Sequence, residues 1–277
     1  RDCLLSRGLG DVYKRQVMKL FMKSSLGLKA RVSVGAATSM LDLLTDVYVT
    51  HKLWSDEFYG YFKASLASLA FSFGLQLLTV WTQNRKLGMM RVFRELIPIL
   101  LGYKPAVDAY RVATGAKQEV GTRMEATTEM TFMKGAEMFA EAIPGVIIQL
   151  MAIAASDKEV GTSAWLSVAV SAITTGFASA TISYDWDTDP AKREQAPDFY
   201  GYIPAKASKR TVVFVSMLLF TAGMLLIRCT TIVLLGLMGG SWAFLYIGAD
   251  LGLYLLVKIL RGDFWYWLPL GLSLIHI

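Results

Sequence analysis

The chain has 277 residues, 54% of them hydrophobic and 18% charged, and its formal net charge is +6. A basic excess of that size helps at an anionic membrane face and is no signature of nucleic-acid binding. Two cysteines and two histidines exclude a disulfide-rich scaffold and leave little for a metal or catalytic-triad site.

Both ends read as library sequence rather than protein. Asp11-Val-Tyr-Lys-Arg-Gln16 can be encoded by GATGTGTATAAGAGACAG, and Leu272-Ser-Leu-Ile-His-Ile277 by CTGTCTCTTATACACATC. The two strings are reverse complements and match a transposase end used in sequencing libraries. Residues 1–16 and 272–277 are therefore set aside, and the native stretch is expected over 17–271, truncated at both ends. Without Arg1, Arg7, Lys14 and Arg15 the 28 basic residues become 24. Without Asp2 and Asp11 the 22 acidic ones become 20, a net of +4. Cys229 and His51 are then the lone cysteine and histidine.

Runs of roughly 20 apolar residues can cross the bilayer as helices. Six are expected, over about 32–53, 61–83, 131–155, 163–184, 211–238 and 241–260. The aromatic Phe264-Trp-Tyr-Trp-Leu268 opens a seventh. The fold class is thus all-α, a polytopic transmembrane helical bundle. Lys29, Arg31, Arg85, Lys86, Arg91 and Arg94 place the N-terminal side in the cytoplasm, and the Lys/Arg-free loop 54–60 outside. Loop 156–162 holds only Lys158, whereas Lys192, Arg193, Lys206, Lys209 and Arg210 lie in the next one, and Lys258 and Arg261 close the sixth span.

One apolar stretch does not fit this alternation. Leu96-Ile-Pro-Ile-Leu-Leu-Gly-Tyr-Lys-Pro105 enters from the cytoplasmic side, and Lys117 and Arg123 place its exit there too. Pro98, Gly102 and Pro105 are expected to break the helix, giving a re-entrant or interfacial helical hairpin over 95–113. The alternative is a cytoplasmic amphipathic helix lying on the bundle.

The expected spans carry polar stripes. Ser39, Asp42, Asp46 and Thr50 share one face of the first, and Ser65, Ser68, Ser72, Gln76, Thr79 and Gln83 one face of the second. Lys134, Glu137, Glu141, Gly145 and Gln149 do the same in the third. A charge at mid-bilayer costs at least about 2.5–3.5 kcal/mol, so such residues point to function. Three stripes can enclose a polar seam, read either as a conducting or lipid-headgroup pathway or as a hydrogen-bond network that sets helix packing. Ser163, Ser167, Ser171, Thr175, Ser179 and Ser183 follow a strict i+4 row that drifts around the fourth span, and this row reads as a packing ridge. Arg228 and Asp250 in the next two spans are expected to form a structural ion pair, the alternative being that Arg228 neutralises Glu137 or Asp46.

Asp185-Trp-Asp-Thr-Asp-Pro190 opens like a calcium loop, but Pro190 replaces the turn glycine and Ala196 the bidentate glutamate, so a solvated acidic helix end fits better. Gly239-Gly240 is a turn, no Gly-rich phosphate cradle is visible, and no nucleophile–base–orienter set suggests an enzyme. No cofactor is expected.

Leu41-Asp-Leu-Leu-Thr-Asp46-Val-Tyr resembles the first-helix signature of the XK-related membrane proteins, and Glu137-Met-Phe-Ala-Glu-Ala-Ile-Pro144 with Gln149-Leu150 resembles that family's Glu-rich, Pro-containing helix. The resemblance covers about 34–262. Gly145 departs from it, standing where the family often has Gln, and the family's last helices and regulated C-terminal tail are not matched. It implies energy-independent phospholipid scrambling, as in some members, with Asp42, Asp46, Glu137 and Glu141 at the family's acidic positions. By the stripe argument Ser72, Gln76 and Gln149 join them. Other members look like membrane receptors for bridge-like lipid-transfer proteins. The expected partners are therefore membrane phospholipids or a cytosolic lipid-transfer protein, without nucleic acid. An ion or solute transporter is the third reading.

Overall fold

The structure is a computed structural model that describes residues 25–116, 121–156, 162–189, 193–194, 200–204 and 206–261. The described residues contain no strand. The helices are α1 (Ser25–Ser55), α2 (Tyr59–Asn84), α3 (Met89–Leu100), α4 (Lys104–Ala113), α5 (Ala126–Glu137), α6 (Ile143–Ala154), α7 (Thr162–Thr188), α8 (Ala207–Met238) and α9 (Gly240–Arg261). A π-helical turn, Met138–Ala142, joins α5 and α6 into one continuous rod. Counting that rod once, six helices are long and apolar enough to cross a membrane, so the chain is a multi-pass membrane protein. They match the six expected spans, with ends shifted by up to seven residues. The adapter-like ends, Lys117, Lys158, Lys192, Pro190, Ala196 and the aromatic run 264–268 lie outside the described residues.

The outer surface is apolar. Leu44, Tyr48, Phe71, Leu78, Leu219, Phe220, Ile227 and Phe244 are all exposed, as expected of groups whose solvent is lipid. Inside, Val146, Leu150, Val168, Ala172, Ala222, Leu225, Cys229 and Val233 form one cluster joining α6, α7 and α8. α7 and α8 approach closely at Gly176, where a Cβ would lie 2.8 Å from the Leu218 carbonyl oxygen and 3.2 Å from the Ala222 nitrogen. Small residues at such a crossing let helix backbones meet.

α1 runs antiparallel to α7 and is tied to it at both ends. Arg31 donates to Asp185 at 2.8 Å and stacks over the Tyr184 ring at 4.5 Å. At the other end Lys52 donates to Ser163 at 3.0 Å. Asp187 is buried in the last turn of α7, accepting from the backbone N–H of Gly201 (2.7 Å), Tyr202 (3.1 Å) and Ile203 (2.9 Å). This corrects the reading of a solvated acidic helix end: one acid binds Arg31 and another holds a loop by accepting three consecutive backbone N–H groups.

The hairpin is present as α3 and α4, packed on α2 and α1 respectively. Its helix starts at Met89, earlier than the sequence suggested. Pro98 does not break it but lies inside α3. The break comes at Gly102, in the left-handed region at φ 74°, where Gly102 N–H bonds to Ile99 O and Tyr103 N–H to Pro98 O, both at 3.0 Å. This is a Schellman stop, which favours glycine. Pro105 then sits in the first turn of α4, where its missing N–H costs nothing.

The outward face of α3 carries Met89, Met90, Phe93, Ile97 and Leu100, all exposed, while Val92, Glu95 and Ile99 face inward. Gly102 rests against Leu43, whose Cδ2 would lie 2.7 Å from a Cβ there. Leu43 lies past the middle of α1, so the tip reaches deep into the bundle. An apolar outer face and a deep tip fit the re-entrant reading better than a helix lying on the cytoplasmic end.

The α7–α8 crossing gives a direct test. Gly176→Val should force the helices apart, costing about 1–3 kcal/mol of overpacking. The expected result is a lower melting temperature and loss of the monodisperse peak in detergent, whereas Gly223→Val, where nothing lies within 4 Å of a Cβ, should leave both unchanged.

Candidate functional site

The π-helical turn follows from one residue. Pro144 has no N–H, so the carbonyl of Ala140 loses its helical donor. The Ser68 hydroxyl replaces it at 2.6 Å, and Ile143 N–H reaches back to Met138 O, five residues away. Such bulges are frequent at functional sites, and this one carries Glu141.

Four carboxylates converge in the bundle. Asp42 accepts from the Ser171 hydroxyl at 2.6 Å. Asp46 accepts from Gln149 Nε2 at 3.1 Å and from the Ser167 hydroxyl at 3.5 Å. Glu141 accepts from the Ser72 hydroxyl at 2.8 Å, and Gln76 Nε2 donates to that same hydroxyl at 3.3 Å. Asp42, Asp46 and Glu141 are exposed by 4% or less. Glu137, half-buried, lines a cavity of about 20 Å³ with Glu141, Ser39, Gln76 and Phe73, enough for a single water. Lys134 is buried beside them, donating to Ser39 Oγ at 2.7 Å and Gly35 O at 3.1 Å. Among the described residues no cation makes a salt bridge to the four acids. The hydrogen-bond partners of Asp42, Asp46 and Glu141 are hydroxyls and an amide.

Asp42, Asp46, Ser72, Gln76, Glu137, Glu141 and Gln149 are thus brought into one polar seam spanning α1, α2 and the α5–α6 rod. The α2 stripe is used along its length: Ser65 bonds Thr50 at 2.6 Å, and Gln83 donates to Met124 O and accepts from the N–H of Arg123 and Met124. The serine row of α7 needs correction. It reads from sequence as a packing ridge, yet Ser163, Ser167 and Ser171 bond Lys52, Asp46 and Asp42 in turn. Only the far half, Thr175 and Ser179, is buried without a hydrogen-bond partner, consistent with close packing near Gly176. The row drifts around α7, and its near half is the part that meets α1. Gly145 faces the same acid: a Cβ there would sit 3.6 Å from Asp46 Oδ2, an ordinary van der Waals contact.

Arg228 and Asp250 pair at 2.5 Å between α8 and α9, and Arg228 does not reach Glu137 or Asp46.

A second group of charges escaped sequence reading. Lys104, exposed by 2%, donates to Asp108 at 2.6 Å, Glu129 at 3.1 Å and Glu95 at 3.3 Å. Arg111 pairs with Glu95 as well. Burial opposes the charge on Glu95, but the Arg111 hydrogen bond and the Lys104 charge hold it below its usual value. Burial likewise opposes the Lys104 charge, which Asp108 and Glu129 nevertheless raise above the ordinary lysine value. Asp108 is pushed up to about 6 by burial despite Lys104 beside it. The i,i+4 spacing of Lys104 and Asp108 was the available signal; Glu95 and Glu129 join them only through tertiary packing.

Lys104→Ala would leave three buried acids facing Arg111, and removing one partner of a buried pair costs about 3–5 kcal/mol. The melting temperature in detergent should fall by about 10 °C, and by less in Asp108→Asn, which leaves Lys104 two carboxylates.

No protein-family model, curated protein or solved structure matches the chain, so its function is argued from this geometry.

Proposed function

We propose that the chain is an energy-independent, scramblase-like membrane protein that moves phospholipid headgroups along the polar seam while acyl tails stay in lipid. The observation that carries this reading is the set of three buried carboxylates, Asp42, Asp46 and Glu141, inside a membrane bundle, hydrogen-bonded by hydroxyls and an amide and making no salt bridge among the described residues. An acid already neutralised by a lysine or arginine has little left to offer a ligand. One held by neutral donors keeps its field for a headgroup amine and for water. The resemblance of the Asp42–Asp46 and Glu137–Glu141 segments to XK-related proteins supports the same reading. Lys29, Arg31, Arg85, Lys86, Arg91 and Arg94 lie at the end of the bundle where α1 begins, against Lys52 and Lys63 at the other, which supports a cytoplasmic N-terminal side.

A second reading has an observation in its favour. Asp42, Asp46 and Glu141 are buried, as structural acids would be, and Arg85, Lys86, Arg94, Lys206 and Lys209 are exposed at one end. In that reading the basic end receives a cytosolic lipid-transfer protein and the seam only sets helix packing.

The two separate in liposomes. Fluorescent phospholipid is placed in both leaflets and an impermeant reductant is added outside. Scrambling removes signal well beyond the outer half. Asp46→Asn and Glu141→Gln retain an oxygen that can accept from Gln149 or Ser72, so both should insert and fold. Each should slow the loss about ten-fold, the effect of removing one charge-assisted interaction. Unchanged rates in the folded double variant would assign the acids to structure.

A further inference from the structure

We propose that the α3–α4 hairpin is a gate whose tip closes the seam, with Lys104 as the latch that holds it. This rests on the reading of the seam as a pathway, and it concerns how that pathway is opened.

The tip belongs to the seam by position. Ile99, Gly102, Lys104 and Pro105 complete the wall of the same small cavity that Ser39, Gln76, Glu137 and Glu141 line. Gly102 is seated on Leu43, between Asp42 and Asp46 in the α1 sequence, so closely that a Cβ there would displace the end of the Leu43 side chain. Ile99 is exposed by 1%. With the tip in place, the cavity holds about one water and no headgroup.

The latch is built across two bodies. Lys104 joins Glu95 on α3 and Asp108 on α4, both within the hairpin, to Glu129 on α5. α5 leads directly into the π-helical turn and Glu141. Glu129 also lies 3.4 Å from Gln83 Nε2 on α2, so the latch is anchored to the scaffold on both sides of the seam. Arg111 binds Glu95 and keeps α3 and α4 together. Glu129 is the ionic tie between this cluster and the scaffold; the remaining ties are apolar, Ala109 and Val112 on Val32 and Ala36, and Val92 and Ile99 on Val80 and Met133, and apolar contacts can slide where an ion pair cannot.

The ends of the hairpin suit such a motion. Gly88 before α3 has φ 94° and Gly115 after α4 has φ 66°, and neither would meet another atom within 4 Å if it carried a Cβ. Hinges are a few element-terminal residues that absorb backbone change. The apolar outer face of α3 stays in lipid whichever way the tip swings. A bistable element of this kind needs only a few kcal/mol between its states.

The test reads access to the cavity directly. Phe73→Cys, on the cavity wall, is placed in a full chain whose own cysteines are replaced by serine. Its labelling by a membrane-impermeant thiol reagent is followed in liposomes with and without Glu129→Gln. That change leaves Lys104 two carboxylates within the hairpin and weakens the tie to α5. Leu43→Ala is a second variant that removes the tip's seat and keeps every charge. Labelling should rise about ten-fold in both, the shift expected from losing one hydrogen bond to a charged group. Unchanged labelling in either variant that remains folded and monodisperse would overturn the gate. Lipid crossing is measured on the same samples. Faster labelling without faster lipid crossing would keep the gate and remove the lipid pathway, so the two readings fail separately.

Discussion

A carboxylate that enters lipid must bring its solvation with it, and α1 carries two. That requirement orders the bundle. Asp42 and Asp46 lie on one face, and the elements around that face supply hydroxyls at Ser171 and Ser167 and an amide at Gln149. The register between α1 and α7 is pinned from both ends by Arg31–Asp185 and Lys52–Ser163. Sliding α7 by one residue would swing each serine about 100° away from its acid and break all four contacts together. Position along the membrane, helix rotation and acid solvation are thus specified by one set of residues.

The same logic extends to the other side of the seam through a proline. Pro144 removes one backbone donor, and the freed carbonyl at Ala140 would be a defect in an isolated lipid-facing helix. Here Ser68 satisfies it. One turn further along α2, Ser72 meets Glu141. The serine spacing of α2 therefore answers two needs on the α5–α6 rod, one made by the backbone and one by a side chain. Breaking the helix and burying an acid beside the break are solved by a single complementary stripe.

Much of this was legible in the sequence because lipid imposes simple rules. Length and apolarity gave the six spans, and 3.6-residue periodicity gave the faces of α1, α2 and the α5–α6 rod. Arg228 and Asp250 were paired by depth alone. Three things were not legible. Pro98 reads as a helix breaker, yet α3 continues past it and the Schellman stop at Gly102 ends the helix. The α7 row reads as packing because small hydroxyl residues serve both packing and hydrogen bonding, and only the position of α1 decides which. The Lys104 cluster joins residues from α3, α4 and α5 that no periodicity relates, so only the folded arrangement reveals it.

Two ways of solvating buried charge coexist within this bundle, and they differ in what they permit. Hydroxyls and an amide around Asp42, Asp46 and Glu141 supply neutral hydrogen bonds that can be exchanged one at a time with water. Lys104, Arg111, Glu95, Asp108 and Glu129 satisfy one another as ions, and withdrawing one leaves its partners uncompensated. A neutral network suits a passage whose ligands come and go, while an ionic one suits a part with two defined positions. Glu129 marks the boundary between them: it closes the ion cluster and stands on the helix that leads to Glu137 and Glu141. A displacement of the hairpin would change the charge around α5 and the room beside the seam acids in the same movement. That coupling is a property of where the side chains sit, and it holds whether the seam is a pathway or a network that sets helix packing.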